Sequence, residues 1–160
     1  MPEIQEVKIY SDASWGSDPD NAKSFHGYIL QINGSTISWS SKRQASVAKS
    51  TCEAEYMACS YAAAHLVWTR HALEELFGDS LRFKFILATD NQAAIILAKD
   101  QRISARSKHI AIHYHFVRER YLDKEFEIEH VPSASNIADI CTKGLPLPLL
   151  KSMKDMMDLR

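Results

Sequence analysis

Tyr10-Ser11-Asp12-Ala13-Ser14-Trp15 is the stretch on which the reading of this 160-residue chain turns. Residues 5–12 alternate, with Val7 and Ile9 on one face and Lys8, Tyr10 and Asp12 on the other, which is the period of a β-strand. Asp12 is therefore expected at the end of a strand, where the chain carries a carboxylate into a turn. Three later acids, Glu55, Asp90 and Asp139, each fall at the start of a helix or the end of a strand. Carboxylates gathered in one place repel unless divalent cations neutralise them, and hard oxygen donors with open positions suit Mg²⁺ or Mn²⁺. Two such ions about 3.5–4 Å apart activate an attacking water and stabilise the leaving oxygen of an in-line displacement at phosphorus.

The rest of the chain supplies a scaffold for that grouping. After a polar turn, Phe25 to Ile32 reads as a strand, and Asn33-Gly34 is a strong hairpin signal into a third strand from Ser35 to Ser40. A long helix is predicted over roughly 51–77, with Ser50 as its cap, Glu53 reaching back to it in a capping box, and Gly78 ending it. Arg82 to Thr89 is apolar enough to be a strand buried on both faces, as in the parallel part of a sheet, and it runs into Asp90-Asn91. A short helix to about Lys99, a polar loop, an amphipathic helix over about 108–123 and a strand over 126–131 follow. Ile110, Tyr114, Val117 and Tyr121 form the apolar face of that second helix. Ser133-Ala-Ser-Asn opens a short helix holding Asp139, and 147–160 reads as a helical tail beyond a core of about 5–146. The order describes one mixed α/β domain over 1–160.

Composition narrows the classes. The hydrophobic fraction of 46% is ordinary for a globular domain, and no apolar run reaches the roughly 18 residues of a membrane span. The N-terminal residues lack the basic-then-apolar character of a signal peptide. Cys52, Cys59 and Cys141 show no CxxC spacing and read as reduced thiols, the intracellular pattern. A net charge of −1 does not announce a nucleic-acid binder, so any such role rests on local patches.

Each acid has an ordinary alternative. Asp12 and Asp90 suit turns, and Asp139 suits the first turns of a helix. Glu55 lies about 200° round the helix from Glu53, close to the face expected to pack on the sheet, although a solvated helix-face glutamate is possible. Lys99, Arg102, Arg106, Lys108, Arg118 and Arg120, with His109, His113 and His115, form a basic stretch, and Lys42-Arg43 precedes Gln44. Beside an acidic metal site such cations make a phosphate track; otherwise they are a solvated face. A zinc site at His109 and His113 lacks further ligands at supporting spacing.

With these residues placed, the chain resembles the ribonuclease H domain of copia-type LTR retrotransposon polyproteins. The matching segments are residues 10–15, Gly27-Tyr-Ile-Leu, Ile37 to Gln44, Ser50-Thr-Cys-Glu-Ala-Glu-Tyr-Met-Ala, Asp90-Asn-Gln-Ala-Ala-Ile, 107–119 and 130–143, all collinear. The resemblance implies an RNase H-like five-stranded mixed sheet flanked by helices, three strands antiparallel and the first and fourth parallel and adjacent. It implies two-metal hydrolysis, with Mg²⁺ or substituting Mn²⁺, of the RNA strand of an RNA–DNA hybrid. It carries catalytic and metal-binding roles onto Asp12, Glu55, Asp90 and Asp139. Substrate contacts are expected from Ser14, Lys42, Arg43, Gln44, Ser50, Thr51, Asn91, Gln92, Arg106, Lys108 and His109, with the ribose 2′-OH read near Ser50, Thr51 and Gln92. It further implies a reverse transcriptase domain upstream, a monomeric isolated domain, no membrane partner, and a cytoplasmic setting within virus-like particles.

Cellular ribonucleases H carry a longer loop with a histidine before the last catalytic helix, whereas Val131-Pro-Ser-Ala-Ser-Asn has none. Slower or more Mn²⁺-dependent turnover is therefore expected. Two other readings use the same fold: a domesticated, catalytically silent binding or interaction module, which an intact acidic quartet disfavours, and a DNA strand-transfer enzyme.

Overall fold

The computed structural model describes residues 3–99 and 111–158, with only the backbone of 111, 112 and 114. A five-stranded sheet forms from β1 (Ile4–Ser14), β2 (Phe25–Ile32), β3 (Ser35–Arg43), β4 (Arg82–Thr89) and β5 (Glu127–His130), in the order β3-β2-β1-β4-β5. The β1–β2 and β2–β3 pairs are antiparallel, and β1–β4 and β4–β5 are parallel, as the resemblance implied. The hairpin turns where expected, with Asn33 and Gly34 both at positive φ (49° and 84°), the pairing a tight two-residue turn requires.

Helices α1 (Thr51–Phe77), α2 (Gln92–Lys99) and α3 (Ala111–Leu122) cover one face of the sheet. Val7, Ile9, Leu30, Tyr56, Leu66, Leu87 and Val117 form the core between them. Ser50 caps α1 by accepting the Glu53 N–H at 3.1 Å. Glu53 reaches back as expected, but it accepts the Lys49 N–H, at 2.8 Å, one residue earlier than the standard capping box. Gly78, at φ 51°, closes the helix by donating its N–H to Glu74 O.

The opposite face is sealed by α4 (Leu147–Met156), the segment expected as a tail. Met153 and Met157 pack with Ile29 and Ile137, and Tyr10 leans against them. Burying one such methionine is worth roughly 1.5–3 kcal/mol. Polar clasps fix the segment: Gln31 Nε2 donates to Met156 O at 2.9 Å and Ser35 Oγ to Asp158 Oδ2 at 3.0 Å. The last helix is thus part of the core.

β1 also differs from its sequence reading. It continues to Ser14, with Asp12 paired in register to Gly27, rather than ending at Asp12 in a turn. Ala13 explains the extension, because it is buried in a small cluster with Ala48, Ala54, Met57 and Ala58 at the first turns of α1. No helix among the described residues is long and apolar enough to cross a membrane.

Candidate metal centre

The site grows from a mismatch in strand length. β1 pairs with β4 only as far as Tyr10–Ala88, while its pairing with β2 runs on to Ser14–Phe25. Beyond Tyr10, the β4 side of β1 therefore lacks a strand partner. The Asn136 amide fills that gap: its Nδ2 donates to Ser11 O at 3.0 Å and approaches Asp90 Oδ1 at 3.4 Å. Asn136 also caps the 3₁₀ turn Ile137–Cys141 by accepting the Ala138 N–H, and this turn, not an α-helix, carries Asp139. One asparagine thereby ties the strand end bearing Asp12, the residue following β4, and the turn bearing Asp139.

Asp12, Asp90 and Asp139 each present a carboxylate oxygen within 4.8 Å of the other two. Asp12 is wholly buried and Asp139 is nearly so. Glu55, from the first turns of α1, is also buried and does not belong to that tight group, yet it feels its charge. Burial first, then the charges of Asp12 and Asp90, push its carboxyl up to about 9, against the pull of Lys143 and the Ala13 N–H. Among the described residues, its Oε2 has no hydrogen-bond partner.

Thr142 and Lys143, to which the sequence alone assigns no role, complete the cluster. The Lys143 ammonium lies 3.1 Å from Asp12 Oδ1 and 3.0 Å from Asp139 Oδ1. The Thr142 hydroxyl donates to Asp12 Oδ2. Burial pushes the Asp12 carboxyl up to about 6, with the Asp139 charge adding to the rise while Thr142 and Lys143 oppose it. Burial would lower the lysine, but its two aspartate partners outweigh that and hold it at about 12. The i, i+4 spacing of Asp139 and Lys143 was a visible signal, but in sequence it reads as one more helix-surface pair. Gly27 makes the approach possible: a Cβ there would lie 2.3 Å from Cys141 Cβ and 3.3 Å from Thr142 Cγ2.

The donor set suits a hard divalent cation. Its ligand atoms are carboxylate oxygens, a cationic side chain already bridges two of them, and the buried Glu55 Oε2 lacks, among the described residues, the partner a charged oxygen needs.

The expected substrate contacts divide. Ser50, Thr51 and Gln92 are exposed, and Ser14 and Asn91 are half-buried. Asn91 Oδ1 already accepts the Ala94 N–H at 2.9 Å, leaving its amide nitrogen for other work. Lys42 is exposed, whereas Arg43 pairs with Asp18 at 2.9 Å. Gln44 does not fit a substrate-facing role: it is buried, and its Nε2 donates to Ala54 O at 2.9 Å, tying the end of β3 to α1. Arg106, Lys108 and His109, with Arg102, lie outside the described residues. Of the remaining basic stretch, Arg118 is buried and Arg120 pairs with Glu125 at 2.7 Å, so one is withdrawn from the surface and the other already answers a carboxylate. His113 Nδ1 meets Ser60 Oγ at 3.0 Å. All three cysteine thiols are free.

Comparisons with known proteins place this geometry in context. No family model matches the chain. It is 36% identical over 154 residues to the retrovirus-related Pol polyprotein from transposon TNT 1-94 of Nicotiana tabacum, a match covering 96% of this chain and 11% of the polyprotein. It is 38% identical over 139 residues to the corresponding polyprotein from transposon RE2 of Arabidopsis thaliana, covering 87% of this chain and 10% of that one. The chain thus spans about a tenth of the length of these curated relatives. Among solved structures, RNase H1 from Halobacterium salinarum NRC-1 superposes with a TM-score of 0.60 at 19% identity, covering 86% of this chain and 94% of that one. LC11-RNase H1 in complex with an RNA/DNA hybrid gives 0.55 at 16%, covering 85% and 93%.

Proposed function

As a homologue of copia-type retrotransposon Pol polyproteins with the fold of ribonuclease H domains, the chain is, we propose, a ribonuclease H that hydrolyses the RNA strand of RNA–DNA hybrids using two divalent ions. The observation that carries this reading is the convergence of Asp12, Asp90 and Asp139 beside the buried, half-partnered Glu55. Bound Mg²⁺ would supply an activated water and charge stabilisation at the leaving oxygen. The chain's own residues do the rest. Asp12, Asp90 and Asp139 would hold the ions from three separate segments, and Glu55 would add a carboxylate from α1.

Around these acids, the hydroxyls of the exposed Ser50, which also caps α1, and of the exposed Thr51, with the Gln92 amide, offer the short polar contacts that read a ribose 2′-OH. Ser14, the half-buried Asn91 amide and the exposed Lys42 extend that polar rim, and Lys42 supplies a phosphate contact. By this reading the partners are the hybrid and an upstream reverse transcriptase, the folded unit is a monomer spanning 1–160, and its setting is the cytoplasmic virus-like particle.

The test is incubation with end-labelled RNA–DNA hybrid, double-stranded RNA and double-stranded DNA, with and without Mg²⁺. Scission of the RNA strand of the hybrid alone, and only with metal, is the expected outcome. An intact hybrid, or cleavage of double-stranded DNA, contradicts the reading.

A further inference from the structure

Lys143 has a position that the proposed chemistry does not use. Its ammonium sits between Asp12 Oδ1 and Asp139 Oδ1, about 3 Å from each, inside a cluster of carboxylates suited to a divalent ion. The backbone that carries it is fixed. Cys141 O accepts the Ser41 hydroxyl at 2.5 Å, Cys141 and Thr142 press against Gly27, and the N–H groups of Thr142 and Lys143 both donate to Asp139 O, at 3.1 and 3.0 Å. The side chain itself is 39% exposed, so its flexible stem can swing to solvent without disturbing that anchor.

We propose that Lys143 is a positioning residue that acts as an internal counter-cation. It holds Asp12 and Asp139 together in the metal-free protein and yields its place when a divalent ion binds. The inference rests on the reading of this cluster as a metal centre. A tethered ammonium and a divalent ion cannot share one slot between the same two oxygens, so the ion's observed affinity is its intrinsic affinity reduced by displacement of the lysine. The arrangement keeps the buried Asp12 compensated when no metal is present, which an unpaired buried carboxylate would not tolerate.

The experiment compares the wild-type chain with Lys143→Met, which keeps the stem and removes the charge, and Lys143→Arg, which keeps a cation. Mn²⁺ binding is measured by calorimetry without nucleic acid, and thermal midpoints are measured in EDTA and in saturating Mn²⁺. Lys143→Met is expected to bind Mn²⁺ about fivefold more tightly, the scale of a partly exposed ion pair. It should melt below wild type in EDTA, and the gap should close in Mn²⁺. Lys143→Arg should stay near wild type in EDTA. A merely structural lysine would weaken binding on removal, so equal or weaker Mn²⁺ affinity in Lys143→Met overturns the proposal. Failure of every variant, wild type included, to bind Mn²⁺ overturns the metal-centre reading instead, and this inference with it. Because the variants could fold poorly, the wild type carries its own test. Saturating Mg²⁺ should shift the ¹⁵Nζ resonance of Lys143 out of its ion-paired position, and an unmoved resonance refutes displacement.

Discussion

Glu55→Gln isolates the electrostatic strain of the metal-free centre. Glu55 is buried, one of its oxygens lacks a hydrogen-bond partner among the described residues, and its carboxyl is pushed from an ordinary 4.5 up to about 9. A carboxyl whose folded-state value is raised favours folding while it stays protonated. That contribution is complete below about 4.5 and is lost as pH climbs towards 9. At about 1.4 kcal/mol per pH unit, the loss amounts to roughly 1 kcal/mol at about pH 5 and between 4 and 5 kcal/mol at about pH 8. Glutamine does not titrate. Asp12 remains in both proteins, so its own rise to about 6 largely cancels in the comparison. In EDTA, the urea stability of Glu55→Gln relative to wild type should therefore grow by roughly 4 kcal/mol from pH 5 to pH 8. For a slope near 2 kcal/mol per M, that is a midpoint shift of about 2 M. Adding Mn²⁺ at pH 8 should reverse the order, because only the glutamate can answer the cation. Parallel pH profiles for the two proteins would refute the reasoning.

The remaining expectations are more local. Glu53→Gln, at the residue that accepts the Lys49 N–H, should leave cleavage intact while lowering stability by about 0.5–2 kcal/mol, read by denaturant titration alongside activity. Gly27→Ala should displace Cys141 and Thr142, and with them the turn that carries Asp139, because its new Cβ falls 2.3 Å from Cys141 Cβ; overpacking of about 1–3 kcal/mol and a weakened Mn²⁺ isotherm are expected, measured by melting and calorimetry. The segment from Val131 to Asn136 is a short 3₁₀ connection without a histidine, so one hybrid substrate should be cut faster in Mn²⁺ than in Mg²⁺. A fast Mg²⁺ rate would remove that expectation.

The sheet order was legible because each strand advertised itself by its own chemistry. Val7 and Ile9 alternate with polar neighbours, Asn33-Gly34 has the one pair of residues that turns tightly, and Phe85 to Ala88 is apolar on both sides. The acids were legible as types at element ends, and their collinearity with the family tied them together. What escaped depended on long-range contact. Nothing local says that the Asn136 amide bridges Ser11 and Asp90, more than forty residues away from either. Lys143 carried no role in the sequence until the 3₁₀ turn and Gly27 brought it onto Asp12. Gln44 followed two cations and read as part of their polar stretch, yet its amide is spent on the Ala54 carbonyl. Met153 and Met157 looked like tail residues because the face they seal, around Ile29 and Ile137, comes from distant segments.

The central claim is that the carboxylates gathered at the open end of β1 hold the ions that cut RNA. It is tested most directly by the rate of RNA-strand cleavage in an RNA–DNA hybrid, in Mg²⁺, for wild type and Asp90→Asn. Asn keeps the shape of Asp90 and its amide can still meet the neighbouring groups, so the fold should survive, as a matched melting curve would show. Cleavage by wild type and its loss in Asp90→Asn is the outcome expected; equal rates in the two proteins would contradict the account.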